Sequence, residues 1–168
     1  MAARLRVAID TNILLSALFW RGSPHLVLEL ASAGEITLVV PELVRQEAYR
    51  VVGRFKGGSE ALLDRFFERL GPHIEPVPLP RRSAVTRISK LVRDFNDAPI
   101  LASVIGARPD YFVSGDDDLL SVRLQRRPSI RILPSTDFLV EYLRRAGTRL
   151  QKDDHELYLK LFLYVSAA

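Results

Sequence analysis

The chain reads as an α/β domain, with a mainly parallel sheet lying between helical layers. Two observations predict it. Short β-rich apolar runs alternate with helical segments almost throughout, the pattern of parallel strands joined by crossover helices. The 168 residues are 48% apolar and 26% charged, the mix of one soluble domain large enough to bury a core without disulfides or structural metal.

Each element follows from local sequence. Leu5 to Ile9 is a short buried strand. Ser23-Pro24 places a cap and a proline at the start of a helix, and Gly34 stops it. Ile36 to Val40 is a second strand. Pro41 opens a helix to about Arg54. Lys56-Gly57-Gly58-Ser59 is a turn, and Ser59 caps a helix ending at Gly71. Ile74 to Leu79 is extended and broken by proline. Val85, Ile88, Leu91 and Val92 make Ser83 to Arg93 helical. Asn96 caps a helix through Ala107. Tyr111 to Ser114 is a strand, a short helix follows Asp116, and Arg131 to Leu133 is a last strand. Pro134-Ser135 starts a helix through Arg145 that Gly147 ends.

Composition excludes several classes. With no Cys, the chain has no disulfide scaffold, thiolate zinc site, iron–sulfur cluster or cysteine nucleophile. Met1 to Arg6 does not have the form of a signal peptide, and Ile13 to Trp20 is too short to span a bilayer. A soluble, cytoplasmic protein without membrane contact is expected. Net charge is +4, and all but Lys56, Lys90, Lys152 and Lys160 of the 24 basic residues are arginines. Guanidinium forks suit phosphate, but solvated faces and ion pairs account for the charge equally well.

The acidic residues are more informative. Asp10 ends the first strand and Asp116 lies just past Tyr111 to Ser114, so both project from one sheet edge. In α/β sheets ligands sit outside the carboxyl ends of the strands, although each residue alone would serve as a helix cap. Glu47 falls on the apolar stripe of its helix, with Leu43, Val44, Ala48, Val51 and Val52. An inward carboxylate needs a cationic partner or a metal. Asp97 shares a stripe with Ile100, Leu101, Val104 and Ile105. Four carboxylates thus point to one place, where mutual repulsion raises pKa values unless a divalent cation intervenes. Oxygen-only donors favour Mg²⁺ or Mn²⁺. His25, His73 and His155 have no ligand spacing. Asp118 can add a further ligand, and Thr11, Asn12 and Ser114 supply orienting hydroxyl and amide groups or helix caps.

The runs Ile9-Asp10-Thr11-Asn12-Ile13-Leu14, helical Glu47, Asn96-Asp97-Ala98-Pro99-Ile100-Leu101-Ala102 and Val113-Ser114-Gly115-Asp116-Asp117-Asp118-Leu119-Leu120 occur in this order. Together they resemble the PIN domain family, and more narrowly its VapC-like branch, the toxin components of type II toxin–antitoxin systems. The likeness runs from about Val7 to Leu143. It implies a three-layer α/β/α fold and metal-dependent ribonuclease activity, with RNA as substrate. It implies an acidic site of Asp10, Glu47, Asp97 and Asp116. Asp10, Asp97 and Asp116 would hold Mg²⁺ or Mn²⁺, joined by Asp118. Glu47 would be a further ligand or would orient the attacking water. Phe95 stands where relatives often have a small or polar residue. The resemblance also implies a homodimer or higher homo-oligomer and an antitoxin protein as partner. RNA processing outside a toxin system, or RNA or partner binding without catalysis, remain alternatives. Which arginines would hold RNA is unassigned.

Residues 1–147 form the PIN-like domain on this reading. Residues 148–168 are a helical extension, either part of the same domain or an oligomer contact, with Leu157, Tyr158, Leu161, Phe162 and Val165 on one stripe. Trp20 is expected in the core, with base stacking as the alternative. Other phosphoryl-transfer folds are excluded by residue. A haloacid-dehalogenase-type phosphatase needs Asp where Asn12 stands, and no lysine sits where a receiver domain needs one. Neither dinucleotide- nor triphosphate-binding glycine motifs occur.

Overall fold

The computed structural model describes residues 4–55, 60–122 and 130–168. Its five parallel strands are β1 (Leu5–Ile9), β2 (Ile36–Pro41), β3 (Ile74–Val77), β4 (Tyr111–Val113) and β5 (Arg131–Leu133), in the order β3-β2-β1-β4-β5. The helices among the described residues are α1 (Thr11–Phe19), α2 (Ser23–Ser32), α3 (Glu42–Val52), α4 (Glu60–Leu70), α5 (Arg82–Ile88), α6 (Ala98–Ala107), α7 (Asp117–Ser121), α8 (Ser135–Asp153) and α9 (His155–Ala167). The turn expected at Lys56 to Ser59, and the cap at Ser59, lie outside the described residues.

Alternation along the strands makes the three layers. Val7, Ile9, Leu38, Val40, Tyr111 and Val113 face one side, where α1, α2, α3, α4, α8 and α9 cover them. Ala8, Val39 and Phe112 face the other, against α5, α6 and α7. Successive side chains on a strand point to opposite faces, so both faces of the central strands are apolar and both are buried. The α/β/α arrangement predicted from the sequence is the one observed.

Four expectations need correction. The helix from Ser135 does not stop at Gly147 but continues to Asp153. Gly147 lies inside this helix with ordinary helical backbone, and a Cβ there would make only ordinary contact, 3.8 Å from the Tyr158 ring. Leu150, Leu157 and Leu161 join the larger core. The helix predicted to Arg93 ends at Ile88, where the Ser89 hydroxyl donates to the Thr86 carbonyl and competes with the helical pattern. Asn96 is not a cap; it sits in a single turn of 3₁₀ helix whose cap is Asp94. Trp20 is not buried: it is 67% exposed, edge-on to Phe19 at the end of α1. No helix among the described residues is long and apolar enough to cross a membrane.

Candidate metal centre

The carboxyl ends of β1 and β4 lie side by side, and the residues following them build the site. Asp10 is the cap of α1 and Asp116 the cap of α7. Asp10 is 4% exposed. Its Oδ1 accepts the Ile13 amide at 2.8 Å, and its Oδ2 accepts the Ser114 hydroxyl at 2.5 Å and the Gly115 amide at 3.1 Å. The Ser114 oxygen in turn accepts the Asp116 amide at 3.0 Å. One buried serine thus ties the two strand ends into a single unit. Asp116 caps α7 through Oδ1 alone, accepting the Asp118 and Leu119 amides.

Asp97 stands at the start of α6 and makes no cap hydrogen bond, so its carboxylate is not spent on the helix. Carboxylate oxygens of Asp97, Asp116 and Asp118 lie within 4.8 Å of one another. Asp10 and Glu47 stand outside that triad. Glu47 is half-exposed rather than inward: its Oε2 accepts the Thr11 hydroxyl at 2.7 Å, and its Oε1 pairs with Arg50 at 3.2 Å. Thr11 therefore holds Glu47 rather than capping a helix. Asn12 is exposed, as is Asp117.

Crowding shows in the electrostatics. Burial, followed by the charges of Asp116, Asp94, Asp118 and Asp10, pushes Asp97 up to about 6. Burial also raises Asp10, against the hydrogen bonds from Ser114, Ile13 and Gly115. Carboxylates raised in this way by burial and by neighbouring charge gain most from a bound cation. The donor set is all oxygen, which fits a hard divalent ion of the Mg²⁺ or Mn²⁺ kind. Two residues escaped the sequence reading. Asp94 caps the turn before Asp97 and adds to its repulsion. Arg93 reaches Asp118 at 3.8 Å. Both lie in irregular chain, where no periodicity marks a direction.

The family profile for the PIN domain matches residues 6–118, which carry every one of these acids. The chain belongs to the PIN domain family. Members of that family are generally nucleases. Solved structures of the same fold include VapBC2 from Rickettsia felis bound to a DNA fragment from its promoter, with a TM-score of 0.58, 17% identity, and coverage of 77% of this chain and 98% of that one. PAE2754 from Pyrobaculum aerophilum is similar at a TM-score of 0.55 and 15% identity, covering 86% of this chain and 99% of that one. No curated protein matches the chain. In this PIN domain the acids brought together most closely are Asp97, Asp116 and Asp118, with Asp10 linked to them through Ser114.

Proposed function

We propose that this PIN domain protein is a Mg²⁺- or Mn²⁺-dependent ribonuclease that hydrolyses RNA phosphodiester bonds, and that it is the toxin of a toxin–antitoxin pair. The observation that carries the nuclease reading is the triad of Asp97, Asp116 and Asp118, gathered within 4.8 Å. Asp97, Asp116 and Asp118 would hold the ion. Asp10 adds its charge and fixes the turn bearing Asp116 through Ser114, and its remaining lone pairs leave it able to bind the ion directly. When bound, the ion supplies charge neutralisation at the phosphate and activation of a water nucleophile. Glu47, held by Thr11 at the edge of the site, orients the attacking water. Ser114 keeps Asp10 and the Asp116 amide in fixed relation, the support that metal sites require.

The toxin assignment draws on the shared fold of VapBC2, and it brings an antitoxin protein as partner, a homodimer or higher oligomer, and a cytoplasmic setting. Residues 1–147 would be the nuclease unit and 148–168 its extension.

Cleavage of a labelled single-stranded RNA pool tests this, with Mg²⁺, Mn²⁺ or EDTA and with Asp97→Asn beside wild type. Metal-dependent cutting that the folded variant loses supports the reading. Cutting that is equal in both proteins and indifferent to EDTA overturns the site. RNA binding without cutting in any metal points instead to a non-catalytic module. Growth arrest on expression, relieved by the product of an adjacent gene, tests the toxin role.

A further inference from the structure

Two arginines stand at the two ends of the acidic site. The carboxylates follow the order of the strands before them: Glu47 in the helix after β2, Asp10 after β1, Asp116 and Asp118 after β4. Arg50 lies against the first, with its Nη2 3.2 Å from Glu47 Oε1. Arg93 lies against the last, with its Nη1 3.8 Å from Asp118 Oδ1. They come from separate stretches of chain, α3 and the segment between α5 and α6.

Both side chains are largely in solvent, 58% and 84% exposed. Ion pairs this exposed are weak and easily given up. A divalent ion on Asp118 would satisfy the charge that now draws Arg93, and the guanidinium could turn to another anion. The anion that must approach these carboxylates is a phosphodiester, which guanidinium forks match in charge and geometry. Holding a polyanion beside a row of acids also requires cations at the margins of that row.

Resting on the nuclease reading, we infer that Arg50 and Arg93 are the phosphate-holding residues of the RNA site. They grip the backbone on either side of the acidic centre, and Arg93 also competes with the metal for Asp118. Loss of Arg93 should therefore weaken RNA binding and strengthen metal binding.

The test uses the full chain with Arg50→Gln and Arg93→Gln. Binding of a fluorescent oligouridylate is followed by anisotropy over a salt series, with Ca²⁺ as the oxygen-seeking ion. Each substitution should lower the slope of log affinity against log salt by about 0.7, the share of one phosphate contact on a single strand. Mn²⁺ titration without RNA, read by electron paramagnetic resonance, should give about two- to fivefold tighter binding in Arg93→Gln, the weight of one exposed ion pair. Arg93→Lys should recover the salt slope. If wild type takes up Mn²⁺ and binds oligouridylate while both variants titrate identically to it, the assignment falls alone. If wild type does neither, the nuclease reading falls and takes the assignment with it. An effect confined to an oligothymidylate control overturns RNA as the ligand.

Discussion

At the amino end of the sheet, Glu35 and Glu75 are held by arginines; at the carboxyl end, Asp97 and Asp116 face each other beside Asp118. Arg6 grips Glu75 with two nitrogens, at 2.8 Å through Nε and 2.5 Å through Nη2, and also donates to the Ala107 and Arg108 carbonyls. Arg149 and the Tyr142 hydroxyl close on Glu35, just before β2. The Arg6 hydrogen bond holds Glu75 below its ordinary pKa. Burial pushes Glu35 up, but the hydrogen bonds from Arg149 and Tyr142 outweigh it and leave it lowered. At the other end, Asp10 and Asp97 are raised. The same chemical group, a carboxylate, is stabilised at one pole and left in conflict at the other. A fold that pairs Glu35 and Glu75 so completely has arginines to spare, so the unpaired state of Asp97 is a property of the site. Repulsion held in place by packing is what lets a cation bind there.

The contrast is broken most sharply by removing its acidic side. Asp97→Asn and Asp116→Asn should each lower RNA cleavage by more than about a hundredfold, since even residues that only support metal ligands cost about 10–100-fold. Both proteins should remain folded by circular dichroism; activity within tenfold of wild type would show that the triad is not the centre. Ser114→Ala comes next. It removes the 2.5 Å bond to Asp10 and the acceptor for the Asp116 amide. Mn²⁺ affinity and cleavage should fall by about 10–100-fold, and unchanged Mn²⁺ affinity would mean that the bridge is purely structural.

The amino end should answer in the opposite currency. Arg149→Leu leaves Glu35 with Tyr142 as its one side-chain hydrogen-bond donor among the described residues and should cost about 1–2 kcal/mol, a charged hydrogen bond reduced by solvent screening. Melting should fall by about 2–8 °C, with cleavage per folded molecule unchanged. Because Glu35 is lowered in the fold, this contribution is present above the ordinary carboxylate range and is lost as pH falls below it. A variant that melts like wild type at neutral pH would dismiss the pairing as decorative.

Much of this polarity was legible in the sequence, and the exceptions are physical. Asp10 and Asp116 could be placed because strand ends in a parallel sheet have a fixed direction. Asp97 could be placed because Ile100, Leu101 and Val104 define a helical face. Glu47 also lay on an apolar stripe, yet it sits at the border: Val44, Ala48 and Val52 are the buried residues of α3, while Leu43 and Val51 are only partly so. Periodicity fixes a face to within a residue or so, and Glu47 fell in that margin. The helix of Thr11–Phe19 is apolar on most sides, which blurs its period. Gly147 suggests a stop because glycine usually marks one, whereas α8 runs through it and buries Leu150 in the core, a tertiary reason with no local sign. Arg93 lies on irregular chain beside Asp118, 25 positions away in sequence, and nothing but the fold joins them.

The smallest expected effect isolates the conflict itself. Asp97 is raised to about 6 from its ordinary 3.8, so the folded protein binds a proton there more tightly than the unfolded chain does. Without metal, stability should therefore be lost as pH rises through that window, and the loss should be complete above it. Asp97→Asn carries no charge and makes no cap bond to lose. Its melting temperature should match wild type near pH 4 and exceed it above pH 6 by about 2–4 °C, the response of a chain this size to about 1 kcal/mol after solvent screening. Metal must displace the proton, so Mn²⁺ should bind wild type more weakly below about pH 6 and should stabilise wild type more than the variant at neutral pH. Melting curves over pH 4 to 8, with and without Mn²⁺, test both signs. A difference between the proteins that does not change with pH would mean that Asp97 ionises freely, and that the two poles of the sheet are less unlike than their geometry implies.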